Sequence, residues 1–419
     1  MTFLEYLPNT ITILFFLVVI SYYALLFVKT KKPRPSKRFS SITVIIPAHN
    51  EEAYIRECID SVIAAGFEGK KEIIVVDDGS KDKTVEIVSQ YASKGIKLIR
   101  KKHTGKSDSI NKAISVSKGE LIAIVDGDSS IHKDALINIA KEVEGKNVAA
   151  ASCIVRVKNR SRFICIWLEL EQIYNSLVRQ LFSKLNANIV TPGPLSIYRK
   201  KELLEAGGFS TQGFSEDIDI TIRLIRKGYK IGFSDKAVTE TNMPYKAKEF
   251  IRQRTRFARG IINIFKKHMQ LNKAAIDLYT LPLFLFNYAQ AVIMGSFMVY
   301  NIASGYATYF LAKGIIFNMY TLKFFFEWFS IVGFIKWSIS FFTAQTPLTF
   351  VSAAGIFSTL LTYPLYLYAI AKYSRKFEIL HLLALFFMPS FWLLIMVIYI
   401  LSLPEYFRKE QHNIWKKNE

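Results

Sequence analysis

The chain has 419 residues, of which 51% are hydrophobic, more than an ordinary water-soluble protein with one or two cores carries, so part of it is expected to meet lipid. Its formal charge of +21 would suit nucleic acid in a soluble protein. Much of that excess instead flanks apolar runs, where basic residues face anionic head groups, and no nucleic-acid-binding motif is present, so no nucleic-acid partner is expected. Cys58, Cys153 and Cys165 have neither metal-ligand spacing nor an obvious pairing, as in a reducing compartment.

In chain order, Thr10 to Val28 is a nearly uncharged run long enough to cross a bilayer as a helix. It lacks the basic start and small-residue cleavage site of a signal peptide. Lys29, Lys31, Lys32, Arg34, Lys37 and Arg38 follow it and predict a cytosolic C-terminal end, hence a cytosolic middle block. Strands are then expected at 42–46, 72–76, 97–100 and 121–125, with helices at 51–65, 81–93 and about 107–117. Such alternation predicts an α/β domain, a mostly parallel sheet flanked by helices. Ligands of these sheets bind beyond the C-terminal strand ends.

Two strand ends are acidic: Asp77-Asp78-Gly79-Ser80 and Asp126-Gly127-Asp128. A single such aspartate suits a cap or turn as well as a site. Both together favour a site. Asp126-Gly127-Asp128 does not open an EF-hand, since Ile137 stands where the bidentate Glu is required. An Asp-x-Asp at a strand end suits a hard divalent ion that shares its oxygen ligands with a diphosphate.

With Pro47-Ala48-His49-Asn50-Glu51 after the first strand, these motifs resemble a family-2 glycosyltransferase of the GT-A fold, over roughly Ser41 to His268. Ser215-Glu216-Asp217 resembles the family's catalytic-base motif, and Gln253-Arg254-Thr255-Arg256-Phe257 the Gln-x-x-Arg-Trp motif of processive cellulose, chitin and hyaluronan synthases. The resemblance implies a UDP-sugar donor and Mg²⁺ or Mn²⁺ on Asp126 and Asp128. Pro47, His49, Glu51, Asp77, Asp78, Lys106, Asn111 and Asp126 would line the nucleotide, and Asp217 beside Glu216 would be the base. Gly193, Pro194, Gln253 and Phe257 would border the acceptor, and Arg254 and Arg256 the diphosphate. The segment Gly193 to Arg199 is similar to the hyaluronan and chitin-oligosaccharide branch, which favours an N-acetylglucosamine-type donor. Phe257 replaces the usual Trp and has no N–H to donate.

Inverting transfer needs one base, because a metal-bound diphosphate leaves without a proton, whereas glycoside hydrolysis needs a second carboxyl group. The expected product is a polysaccharide exported across the membrane. The alternatives are transfer to a lipid-linked acceptor, or a non-catalytic nucleotide-binding subunit; a homo-oligomer is compatible with each. Apolar-stripe helices near 160–184 and 247–268 are expected at the bilayer surface, the first being equally compatible with a buried core. Spans at about 279–303, 324–344, 349–371 and 378–402 make five with the first helix. This arrangement places Lys372, Arg375 and Lys376 outside, against the positive-inside tendency, and the stretch 305–345 is the expected place for a re-entrant piece. The resulting boundaries are a helix and basic segment at 1–38, a cytosolic catalytic domain at 39–272, membrane helices at 273–404 and a cytosolic tail at 405–419, whose Trp415 resembles a nucleotide-covering element of some synthases.

Overall fold

The computed structural model describes residues 3–29, 37–270 and 274–404. Lys31, Lys32, Arg34 and the tail with Trp415 lie outside the described residues. An eight-stranded mixed sheet forms the centre: β1 (Ser41–Ala48), β2 (Lys70–Asp77), β3 (Lys97–Arg100), β4 (Leu121–Ile124), β5 (Ser129–Ile131), β6 (Val148–Val157), β7 (Ser196–Arg199) and β8 (Lys230–Thr241), in the order β3-β2-β1-β4-β7-β6-β8-β5. The four expected strands are β1 to β4, all mutually parallel, and the apolar runs of β1, β2 and β4 fit burial on both faces, while β3 is the partly exposed edge. β7 runs antiparallel to β4 and β6, and β5 to β8, while β6 and β8 are parallel. Both acidic motifs therefore leave the same edge of the parallel half, after β2 and after β4.

The helix Phe163–Ser183 is amphipathic on two counts and is buried, not surface-lying. One side packs on β6, and the other meets the apolar C-terminal helices. Trp167 Nε1 donates to the Ala384 carbonyl at 2.8 Å, and Tyr174 stacks on Tyr366 with centroids 4.4 Å apart. Such buried aromatic pairs add to the area they remove from solvent, so sheet and apolar helices share one core.

Among the described residues, three helices are long and apolar enough to cross a membrane: Tyr6–Phe27, Ile276–Lys313 and Phe350–Tyr373. Two further apolar pairs are broken, Met319–Phe329 with Ile331–Phe342 at 87° and Ile379–Phe386 with Met388–Ser402 at 56°. The first break falls in the stretch where a re-entrant piece was expected.

The loop after Tyr373 bears on the five-span arrangement. Arg375 forms a two-point ion pair with Glu240 of β8, Lys372 Nζ donates to Gln180 Oε1 at 2.7 Å, and Glu378 receives Arg160 through both terminal nitrogens at 3.0 and 2.8 Å. Five crossings would put this loop on the opposite face of a membrane, whereas it is bonded to the sheet. Its positive charge is then in the ordinary place. The helix before the sheet also ends at this domain, where Lys184 Nζ donates to the Leu25 and Leu26 carbonyls. Helix Ile276–Lys313 begins there, with Thr280 donating to Ala187.

Candidate active site

The turn after β1 and the turn after β4 interlock. A side chain on Gly127 would meet Glu51 Cγ at 3.1 Å and the Pro47 carbonyl at 3.3 Å, so the absence of a Cβ eases the close approach of this turn to Pro47–Glu51. Gly193 plays the same part from the far side: a Cβ there would strike the Asp126 carboxylate and lie 2.6 Å from Lys106 Nζ. Three segments distant in sequence thus close over one point.

That point is Lys106, in the first turn of the helix Lys106–Val116. Its Nζ lies 2.5 Å from Asp126 Oδ1 and 3.6 Å from Glu216 Oε1. Burial alone would lower the Lys106 pKa, but Asp126 and Glu216 outweigh it and hold the ammonium charged. Glu216 and Asp217 open the helix Glu216–Arg226, where the positive end of the macrodipole suits acidic groups. Asp217 is fixed by its backbone: its carbonyl accepts from Thr221 at 2.6 Å and from Thr191 at 3.3 Å, and its Oδ1 accepts from Ile218 N at 2.9 Å. Burial first, and then the neighbouring Glu216, push its pKa up to about 7 against the pull of Lys106. A carboxylate that titrates near neutrality is suited to take a proton.

Asp126 is also held above the ordinary carboxylate range, by burial and then by Asp128 and Glu216, with Lys106 opposing. Hard oxygen donors under mutual repulsion fit a divalent cation, which would relieve the strain that one lysine relieves only in part. A second cluster, His49, Asp78 and His103, also brings potential ligand atoms within 4.8 Å of one another. It fits less well. Asp78 Oδ1 already accepts from Lys101 Nζ at 2.5 Å and Thr104 N at 3.0 Å, and Oδ2 lies 2.8 Å from His103 Nδ1 and accepts from Gly105 N at 2.9 Å. Burial would raise the Asp78 pKa, yet the Lys101, Thr104 and Gly105 contacts hold it below the usual range. A cation there would have to displace an ammonium from a fully engaged carboxylate.

The expected residues divide accordingly. Pro47, Glu51, Lys106, Asp126, Gly193 and Glu216 meet in one cleft, with Asp128 and Asp217 beside them. His49 is buried and stacks on His103 at 4.1 Å, forming a flat imidazole pair at the end of β1. Asp77 receives Ser80 N at 3.2 Å and caps the turn. Asp78 was expected on the uracil and ribose, but its carboxylate is spent on organising the 101–105 loop. Asn111, also expected on the nucleotide, has its amide on the Phe209 backbone, donating to the carbonyl at 2.7 Å and accepting from the N–H at 2.9 Å.

The helix Ala247–His268 lies against the loop that precedes Glu216 and Asp217, where Gly260 leaves room for Ser215. Gln253 is half-buried with Oε1 unbonded, while Arg256 and Phe257 are exposed and in cation–π contact, 5.7 Å from guanidinium carbon to ring centroid. Arg254 departs from its expected place at the diphosphate. It is buried and clamps Glu171 at 2.6 and 2.5 Å, tying this helix to Phe163–Ser183. Pro194 follows Gly193 and its carbonyl accepts from Thr239 at 3.2 Å, which fixes that loop.

Sequence reasoning missed Lys101 and His103, although both follow the C-terminal end of β3, where the strand-end rule would have found them. It also missed Asp219. This buried aspartate, on the helix that carries Asp217, lies 2.7 Å from His268 Nε2 and from Lys267 Nζ and accepts from Arg223 Nε at 2.8 Å. Burial would raise its pKa, but these donors hold it far below the usual range. The stabilisation is therefore complete at neutral pH and is lost as acidification goes below the ordinary carboxylate range. Asp219→Asn should destabilise the protein by about 3 kcal/mol. Melting of the detergent-purified protein at pH 7 should show this, with the gap to wild type narrowing in acid.

Residues 43–205 match Glycosyl transferase family 2. The chain is 30% identical over 268 residues to a probable glycosyltransferase, YdaM, of Bacillus subtilis, covering 60% of this chain and 63% of that one. It is also 30% identical over 234 residues to an N-acetylglucosaminyltransferase of Azorhizobium caulinodans (52% and 59% covered), and 24% identical over 225 residues to the poly-beta-1,6-N-acetyl-D-glucosamine synthase of Staphylococcus aureus (52% and 54%). The matches span between about half and 63% of these relatives. In fold it is similar to a mannosyltransferase from Pyrobaculum calidifontis solved with GDP-Man and Mn²⁺, at TM-score 0.62, 20% identity and coverage of 96% and 99%. Residues 43–205 thus carry a family-2 glycosyltransferase domain, in a chain whose fold is similar to that of the Pyrobaculum mannosyltransferase.

Proposed function

We propose that the protein is an inverting, metal-dependent transferase that moves N-acetylglucosamine from its UDP donor onto a growing polysaccharide at the cytosolic face of a membrane. The observation that carries this reading is the Lys106 cluster, in which Asp126 and Glu216 meet one ammonium with Asp217 alongside. The two relatives named for N-acetylglucosamine support the choice of sugar.

In this reading residues 39–272 are the catalytic domain. Mg²⁺ or Mn²⁺ would be held by Asp126 and Asp128, and when bound it would neutralise charge on the departing diphosphate. Lys106 adds fixed positive charge beside the same group, and Arg256, exposed on its helix, is free to reach it. Pro47, the His49–His103 pair, Glu51 and Asp77 border the nucleoside. Asp217 takes the proton of the attacking acceptor hydroxyl. Phe257 offers a ring face to the acceptor sugar beside Gln253, and Gly193–Pro194 closes the pocket.

Three crossings accommodate every contact described above. Tyr6–Phe27 and Phe350–Tyr373 both end at the domain and Ile276–Lys313 leaves it, while the two bent pairs return to the side from which they start. Cysteines introduced singly test this arrangement, since Cys58, Cys153 and Cys165 are buried. Gln345→Cys should react with an impermeant maleimide from the face opposite the domain and Ser374→Cys only from the domain's face. Five crossings require the reverse.

Function is tested by incubating the full chain with a panel of UDP-sugars and following UDP release, with products resolved by gel and thin-layer chromatography. UDP-N-acetylglucosamine should give the fastest release and a high-mass product. A small lipid-soluble product would instead identify a lipid acceptor, and no release with any donor would overturn the proposal.

A further inference from the structure

The helix Leu281–Tyr309 starts at the catalytic domain and, at about 1.5 Å per residue, reaches roughly 40 Å from it. At its far end a cavity of about 480 Å³ is walled by aromatic rings, among them Tyr309 and Phe324, and lined by Lys313, Lys323, Lys336 and Glu327. Lys336 pairs with Glu327 at 2.7 Å. Among the described residues, Lys313 and Lys323 have no carboxylate partner.

The surroundings are apolar. Ile316, Phe317 and Met319, next to the cavity, are 75%, 73% and 76% exposed, which is stable in lipid and not in water. Basic residues are normally scarce on the face away from the cytosol. Three lysines here, two of them on the broken pair Met319–Phe329 and Ile331–Phe342, run against that tendency. Lys313 and Lys323, both exposed and facing the same aromatic-walled cavity, concentrate positive charge that an anion at this level would complement. A compact ammonium is a point-charge binder of phosphate, and aromatic side chains favour the head-group level.

We propose that this cavity binds the phosphate of an anionic phospholipid head group in the leaflet away from the catalytic domain, with Lys313 and Lys323 as its cationic ligands. The inference rests on the membrane reading given above, and carbonate extraction tests that reading separately: release of the chain from membranes would sink the setting itself. The site is tested by native mass spectrometry of the full chain in detergent with phosphatidylglycerol or phosphatidylcholine. Comparison is with the Lys313→Gln/Lys323→Gln variant and, as a control, Lys201→Gln on the exposed face of the domain. Two lysines near a head group correspond to about thirtyfold tighter retention of phosphatidylglycerol. That preference should vanish in the double variant, persist in the control and resist excess inorganic phosphate, while UDP release stays at the wild-type rate. Equal retention of both lipids by a membrane-bound protein, or of phosphatidylglycerol by wild type and double variant, would overturn the inference. Displacement by inorganic phosphate would assign the cavity to a free anion and overturn it as well.

Discussion

Asp217→Asn should lower kcat by about a thousandfold, the middle of the range for a positioned general base, while donor binding changes little. Asparagine keeps the shape and can still accept from Ile218 N, so the loss would belong to the proton and not to the fold. The pH profile gives a second reading of the same group. Below its raised pKa the wild-type Asp217 is protonated and cannot accept the acceptor's proton, so kcat/KM should climb through about pH 7 and level off above it. The residual activity of the variant should lack that limb. Unchanged kcat in Asp217→Asn would remove Asp217 from the role of base.

Asp126→Asn should cost about 10²- to 10³-fold in kcat, as expected when a charge aimed at the leaving group is removed. Two effects combine. Lys106 loses the partner 2.5 Å away and is left facing Glu216 alone, and the cluster loses one of its two Asp-x-Asp carboxylates. Chelation with EDTA should abolish wild-type turnover, and re-addition of Mn²⁺ should restore it. The variant should need a much higher Mn²⁺ concentration for whatever activity it recovers. Activity that survives EDTA would remove the metal from the proposal while leaving Asp217 in place.

The parallel half of the sheet and its acidic ends were legible because both are local patterns. An apolar run ending in Asp-Asp-Gly-Ser or Asp-Gly-Asp identifies a strand and its exit together. The helix Glu216–Arg226 was legible for the same reason, since Glu216 and Asp217 precede an amphipathic run. What escaped depends on partners far along the chain: Asp78 with the 101–105 loop, Arg254 with Glu171, Asp219 with His268 and Arg375 with Glu240. Composition shows that such residues are ionisable and says nothing of what they face, so Arg254 was placed on substrate by its motif when its guanidinium holds two helices together.

The breaks in the two apolar pairs escaped for a different reason. Hydropathy measures length and greasiness and is blind to a bend. Yet the bends had local causes. Ser330 accepts from Val332 N and so caps a new helix start, and Pro389 stands at the first turn of Met388–Ser402, where proline begins a helix more readily than it continues one.

The claim on which the account rests is that donor diphosphate and cation meet at the Lys106 cluster. A structure of the protein with a UDP-sugar and Mn²⁺, located by anomalous scattering, tests it most directly. The account predicts one peak in contact with Asp126 or Asp128, with the diphosphate beside Lys106 and the anomeric carbon facing Asp217. A peak bound by His49, Asp78 and His103, with Asp126 left to Lys106 alone, would contradict it.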